Sequence, residues 1–159
     1  MRIGLGYDIH QFEEGDGIVL GGVSIPYNKG IKAHSDGDVV IHSVIDAILG
    51  AAGMGDIGVH FPDSDPEYKD ADSRVLLRET EKFIRSKYLV GNLDVTVVVE
   101  APKIKPYREE MMLKIASDLR MQPGDVNIKA TTSERMGFIG RGEGIAATSI
   151  CLLHPIGSA

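Results

Sequence analysis

Residues 2–10, RIGLGYDIH, alternate between side chains suited to opposite faces, and the period of two predicts a first strand. GIVLGGVSIP (17–26) reads as two short strands around Gly21-Gly22, a hairpin signal. NKGIKAHSDGD (28–38) reads as a loop that ends in candidate helix caps. From about Asp38 to Gly53 the apolar period lengthens to that of a helix, with Val40, Val44, Ala47, Ile48 and Ala51 on one face. Residues 55–72 form a long polar stretch that predicts a functional loop. A second helix is predicted over 73–87, with Asp72 as N-cap and a stripe of Val75/Leu76, Thr80, Phe83/Ile84 and Tyr88. NLDVTVVVE (92–100) is the clearest strand, with Leu93, Val95, Val97 and Val99 on one face. A third helix starts near Pro106, at a position that suits proline, and ends before Pro123. Strands follow at 126–131 and 144–153, separated by a glycine-rich loop at 137–144. The order β-ββ-α-α-β-α-β-β predicts an α+β fold, a single domain over 1–159 with helices packed on one face of a mixed or antiparallel sheet.

Composition narrows the function. A chain of 159 residues that is 43% hydrophobic can bury a core, and no run approaches the roughly 18 apolar residues of a membrane span. The strand pattern begins almost at the first residue, so a cytoplasmic protein is expected, or a plastid stromal one whose leader has been removed. The single Cys151 lies in the apolar run ICLL and reads as a buried inert thiol. A net charge of −6, with no basic cluster and no Trp, argues against nucleic acid as a partner. It also means that an anionic substrate needs local help from a cation, a helix N-terminus or a nest of amides.

Candidate chemistry is concentrated in a few stretches. Asp8 and His10, two apart on a strand, share a face. They suit a hydrogen-bonded surface pair, an acid/base couple or part of a metal site. AHSDGDVVIH (33–42) adds His34, Asp36, Asp38 and His42. Asp8, His10 and His42 together would make two imidazoles and a carboxylate, the ligand pattern of a catalytic zinc ion with one open place. Asp38, His42 and Asp46 fall at helical spacing, and Asp46, one turn beyond His42, is placed to take the spare imidazole N–H of a ligand histidine behind the metal. His60 and His154 read as structural. KATTSERMGFIGRGEG (129–144) brings hydroxyls, Glu134, Arg141 and glycines, suited either to phosphate oxygens or to a plain hairpin. VEAPKIKPY (99–107) leaves a strand as a turn carrying Lys103 and Lys105.

MRIGLGYDIH, LGGVSIPY, AHSDGDVVIH, GDIGVHFPDSDP, DSRVLLRE, VEAPKIKP and KATTSERMGFIGRGEGI, in that order, resemble the 2-C-methyl-D-erythritol 2,4-cyclodiphosphate synthase family of non-mevalonate isoprenoid biosynthesis, across essentially the whole chain. The resemblance implies a homotrimer with each active site between neighbouring subunits. It implies conversion of 4-diphosphocytidyl-2-C-methyl-D-erythritol 2-phosphate to the 2,4-cyclodiphosphate and CMP. Asp8, His10 and His42 would then bind zinc or another divalent ion. His34 and Ser35 would touch the substrate's phosphate end, with His34 acting on the transition state. Asp56, Ile57 and Gly58 would hold the erythritol hydroxyls, and Phe61, Pro62, Asp63, Ser64 and Asp65 would line the same pocket. The segment Ala101, Pro102, Lys103, Ile104, Lys105, Pro106 and Tyr107 would receive the cytidine. Thr131, Thr132, Ser133 and Glu134 would hold the diphosphate, Thr132 acting on the transition state and Glu134 taking a second ion, Mg2+ or Mn2+. Phe138 and Arg141 would add further contacts. The chain departs from its relatives at Tyr7, His60, Ser64 and Thr148. Thr148 stands where members whose central cavity accepts an isoprenoid diphosphate carry Glu, and that ligand is carried as a candidate partner. Two rival readings keep the same residues: a zinc phosphohydrolase acting on a nucleotide, and a trimeric binding protein without turnover.

Overall fold

Strand β1 (Arg2–Glu13) runs past the end that its alternation marks and is the second strand of a five-stranded sheet, ordered β4-β1-β7-β5-β6. The computed structural model describes residues 1–62, 65, 68 and 71–157. β4 (Gly30–Lys32) and β7 (Gly144–Pro155) flank β1 antiparallel. β7 pairs antiparallel with β5 (Tyr88–Val98), and β5 pairs parallel with β6 (Val126–Thr131). The sheet is therefore mixed. β2 (Gly17–Leu20) and β3 (Val23–Pro26) form a separate hairpin. Its turn residues Gly21 and Gly22 have φ of 57° and 73°, which is what a tight two-residue turn requires.

Among the described residues five α-helices accompany the strands: α1 (Val39–Ala52), α2 (Ile57–His60), α3 (Ser73–Ile84), α4 (Arg108–Asp118) and α5 (Gly137–Gly140). Parallel pairing of β5 and β6 needs a crossover, and α4 supplies it. Helix α1 is buried almost all round: Ile41, Ile45 and Leu49 are as inaccessible as the predicted face of Val40, Val44, Ala47 and Ile48. It lies between the sheet and α3, so the amphipathic pattern understates its burial.

Several elements differ from expectation. β4 falls in a stretch read as loop, because three residues cannot display a period. The long polar stretch contains α2. The helix predicted to reach residue 87 stops at Ile84, and Tyr88 belongs to β5 instead. Within α3 the buried residues include Leu76, Leu77, Thr80 and Ile84, while Val75 and Phe83 are exposed. The third helix begins as a 3-10 turn at Lys105–Tyr107, and the glycine-rich loop holds α5.

The sheet has two unlike faces. Leu93, Val95 and Val97 of β5, with Ala147, Ser149 and Cys151 opposite them on β7, are buried beneath the helices. Cys151 is inert there, since burial pushes its thiol up to about 12. On the other face Ile3, Leu5, Tyr7, Ile9 and Ile150 remain between 42% and 70% exposed.

Candidate active site and metal centre

The site begins with two glycines. Gly4, Gly6, Asp8 and His10 all project to the same side of β1, toward α1. A Cβ at Gly6 would collide with the Ser43 carbonyl, and one at Gly4 with the Ala47 carbonyl. Their absent side chains let α1 lie directly on the strand, which brings His42 within reach of Asp8 and His10.

The start of α1 is fixed by Asp38. Its buried carboxylate accepts from the Ile41 N–H at 3.0 Å and from the Gly21 and Gly22 N–H groups at 2.8 and 2.7 Å. One side chain thus caps the helix and ties the hairpin turn to it. Burial pushes its carboxyl up to about 6, and the amide donors offset part of that rise.

At the mouth of the site Asp8 Oδ2 lies 3.0 Å from His10 Nε2 and 3.0 Å from His42 Nδ1, and the two nitrogens are 3.3 Å apart. Ligand atoms placed at about 2.0–2.1 Å on a tetrahedral zinc ion stand roughly 3.3 Å from one another. The three atoms therefore have the spacing of one face of such a site. Burial alone would raise the Asp8 carboxyl, but the hydrogen bonds from His10 and His42 hold it well below its usual range. Burial would lower the His42 imidazole, but the hydrogen bond and charge of Asp8 raise it overall.

The other nitrogen of His42 settles the ring's tautomer. Nε2 lies 2.8 Å from Ser73 Oγ, and Ser73 Oγ donates its one hydrogen to Asp36 Oδ1 at 2.5 Å. The Ser73 N–H donates to Asp36 Oδ2 at 3.0 Å. With its hydrogen given to Asp36, Ser73 Oγ accepts from His42 Nε2–H, so the hydrogen that His42 gives up when a metal binds is the one Nδ1 donates to Asp8, and Nδ1 would then offer its lone pair. Asp46, expected in this supporting role, instead accepts the Ile57 N–H at 2.8 Å. Helical spacing does put it one turn from His42, but its carboxylate is engaged in holding α2. Asp56 caps α2 by accepting the Val59 N–H at 3.1 Å. Ser73 was not singled out in the sequence, and Asp36 was named there without a role. They are 37 apart, and no local period connects them.

These groups open on a cleft of about 560 Å³ whose lining includes Asp8, His10, His34, Ser35, His42, Asp46, Ile57, Gly58, Phe61 and Asp65. Ser35 Oγ approaches His42 Nε2 at 3.4 Å. Asp63 and Ser64 lie outside the described residues, and Pro62 is half-buried beside Phe61. Among the described residues the cleft lining includes none of Ala101–Tyr107 or Thr131–Glu134. In the first of these segments Ile104 is sunk in the core, while Ala101, Lys103, Lys105 and Pro106 are exposed. In the second, Thr132 Oγ1 donates to Glu134 Oε1 at 3.1 Å on the surface. Phe138 shares a shallow recess with Ile9 and His10, and Arg141 pairs with Glu143 at 2.6 Å.

A single α+β domain with an Asp-His-His cluster at the mouth of a cleft defines a class of enzyme domain with a candidate metal site. Comparison with known proteins narrows the class. Residues 1–154 match the model of the YgbB family. The chain is 56% identical over 156 residues to the 2-C-methyl-D-erythritol 2,4-cyclodiphosphate synthase of Pseudomonas putida (strain W619), covering 98% of this chain and 99% of that one. It is 57% identical over 154 residues to the synthase of Proteus mirabilis (strain HI4320), covering 96% of each. Among solved structures, IspF of Plasmodium falciparum in complex with CDP aligns with a TM-score of 0.84 at 37% identity, over 97% of this chain and 96% of that one. The bifunctional IspDF from Campylobacter jejuni aligns with a TM-score of 0.92 at 44% identity over 96% of this chain, which spans 42% of that longer protein. The chain belongs to the YgbB family.

Proposed function

We propose that the chain converts 4-diphosphocytidyl-2-C-methyl-D-erythritol 2-phosphate to 2-C-methyl-D-erythritol 2,4-cyclodiphosphate and CMP, a step in making isoprenoid precursors. The observation that carries this reading is the Asp8–His10–His42 cluster in its cleft, in a chain 56% identical to synthases of this name.

In this reaction an oxygen of the 2-phosphate forms a bond to the β-phosphorus. The bond from that phosphorus to the oxygen bridging to CMP breaks, and its electron pair leaves with CMP. The nucleophile is already ionised near neutral pH, so no side chain needs to remove a proton. Repulsion between anions and the entropy of closing a ring are the obstacles. A divalent ion held by Asp8, His10 and His42 supplies Lewis acidity to a phosphoryl oxygen when bound, and one on Glu134 supplies counter-charge to the departing nucleotide. The local cations answer the net charge of −6. Asp56 and the Ile57–Gly58 backbone grip the hydroxyls, which orients the attacking phosphate; well-aligned intramolecular reactions reach effective molarities of about 10⁵ M or more. His34, Ser35 and Thr132 donate to phosphate oxygens. The Ala101–Tyr107 backbone receives the cytosine.

Two features support a homotrimer with shared sites. The metal cleft is built without the segments assigned to the nucleotide, and an apolar sheet face of this extent calls for a cover. Neighbouring subunits can supply both. No helix among the described residues is long and apolar enough to cross a membrane, and we place the enzyme in the cytoplasm.

Phosphorus NMR of the product tests the assignment. A cyclic diphosphate appearing together with CMP is expected. Inorganic phosphate or an open-chain product would make the chain a phosphohydrolase, and no turnover in the presence of zinc and magnesium would make it a binding protein.

A further inference from the structure

Strands β5 and β6 are parallel and end side by side. Val98 stands opposite Thr131, and the Val99 N–H donates to the Thr131 carbonyl at 3.0 Å. The chain leaves one strand as residues 100–107 and the other as 131–135, so both segments lie beyond the carboxyl ends of a parallel pair, where sheets of this kind commonly receive ligands. Glu100 joins them. Its Oε1 accepts from the Ser133 N–H at 3.0 Å, the Ser133 hydroxyl at 3.1 Å and the Arg135 N–H at 3.2 Å. The Ser133 hydroxyl has a single hydrogen and also lies 2.8 Å from the Met136 carbonyl, so it serves one acceptor at a time.

The turn that Glu100 holds is an unusual one. Glu134 and Arg135 have φ of 53° and 62°, two successive non-glycine residues in the left-handed region. Gly140 packs against the Arg135 backbone so closely that a Cβ there would collide with it. The two amides bound by Glu100 flank Glu134. The turn is thereby pinned from within, and Glu134 stands on the surface beside the Thr132 hydroxyl.

We propose that Glu100 is a positioning residue that clasps the base-side segment Ala101–Tyr107 to the diphosphate-side segment Thr131–Glu134, making one rigid cradle for a pyrimidine nucleoside diphosphate. The inference rests on the cytidylyl reading above and adds a residue that this reading does not use. Hydrogen bonds from the Arg135 and Ser133 amides hold the Glu100 carboxyl below its usual range, so it is an ionised acceptor near neutral pH. Because one oxygen carries all three bonds, glutamine can replace glutamate in this role, whereas methionine has similar bulk and no comparable acceptor.

The test uses the full-length, zinc-loaded protein and its variants E100Q and E100M, titrated calorimetrically with cytidine and with CDP in the presence of magnesium. In E100M the affinity for CDP should fall about tenfold, the scale of one lost charge-assisted bond. Cytidine, which touches only one segment, should bind as before, and so should zinc. E100Q should bind CDP within about twofold of the unaltered protein. Undiminished CDP binding by E100M would overturn the clasp. Loss of CDP binding in E100Q would overturn it too, even if E100M proved unfolded, because the acceptor is still present there. If the unaltered protein fails to bind CDP, the cytidylyl assignment itself falls, and the clasp with it.

Discussion

At the scale of single residues the site depends on which nitrogen of His42 carries the hydrogen, and Ser73 decides that through Asp36. Ser73→Ala should weaken zinc binding by roughly 10–100-fold while leaving the fold intact, measured by competition with a chelating indicator. An unchanged affinity would remove Ser73 from this role. The proton shared within the cluster has its own signature. Without metal, His42 is raised above 6.5, so its pairing with Asp8 stabilises the fold fully below 6.5 and less as pH rises through the higher folded value. Asp8 is lowered from 3.8, so its share is present above 3.8 and lost as pH falls through the lower folded value. The metal-free protein should therefore melt at a higher temperature at pH 5.5 than at pH 8.5, and His42→Asn should reduce that difference. Zinc binding should run the other way and weaken on acidification, because protons compete for the same atoms.

At the scale of elements, metal-site geometry is a consequence of how closely α1 lies on β1. Gly6→Ala should force the helix away from the strand, costing at least about 1–3 kcal/mol of stability in denaturant titrations and lowering zinc affinity, although no ligand has been changed. An alanine variant that binds zinc normally would mean that the close approach is not required. This level of structure was only partly legible in the sequence. The alternation of β1 and the helical period after Asp38 placed Asp8, His10 and His42 on the right elements, because each pattern spans enough residues to fix its period. The glycines of β1 sit on the same alternating face as Asp8 and His10, so the close approach could have been read there. β4 could not, since three residues show no period. The end of α3 was overrun because Tyr88 continues the helical stripe while its backbone has already joined the sheet. Asp46 shows a related limit: spacing along a helix names a face, and does not say which neighbour takes the carboxylate first.

At the scale of the whole molecule the sheet offers one face to its helices and leaves Ile3, Leu5, Tyr7, Ile9 and Ile150 uncovered. Leu5→Asp, at the middle of that face, should convert the proposed trimer to monomers in sedimentation velocity and abolish cyclisation, while zinc still binds the separated chain. Trimers that persist with full activity would assign the face to another use. The proposed division of labour across subunits carries a kinetic corollary. If catalyst exists only where two chains meet, then specific activity is a mass-action quantity. Thinning the enzyme below the dissociation constant of its assembly should silence it with no inhibitor present, and restoring the concentration should revive it.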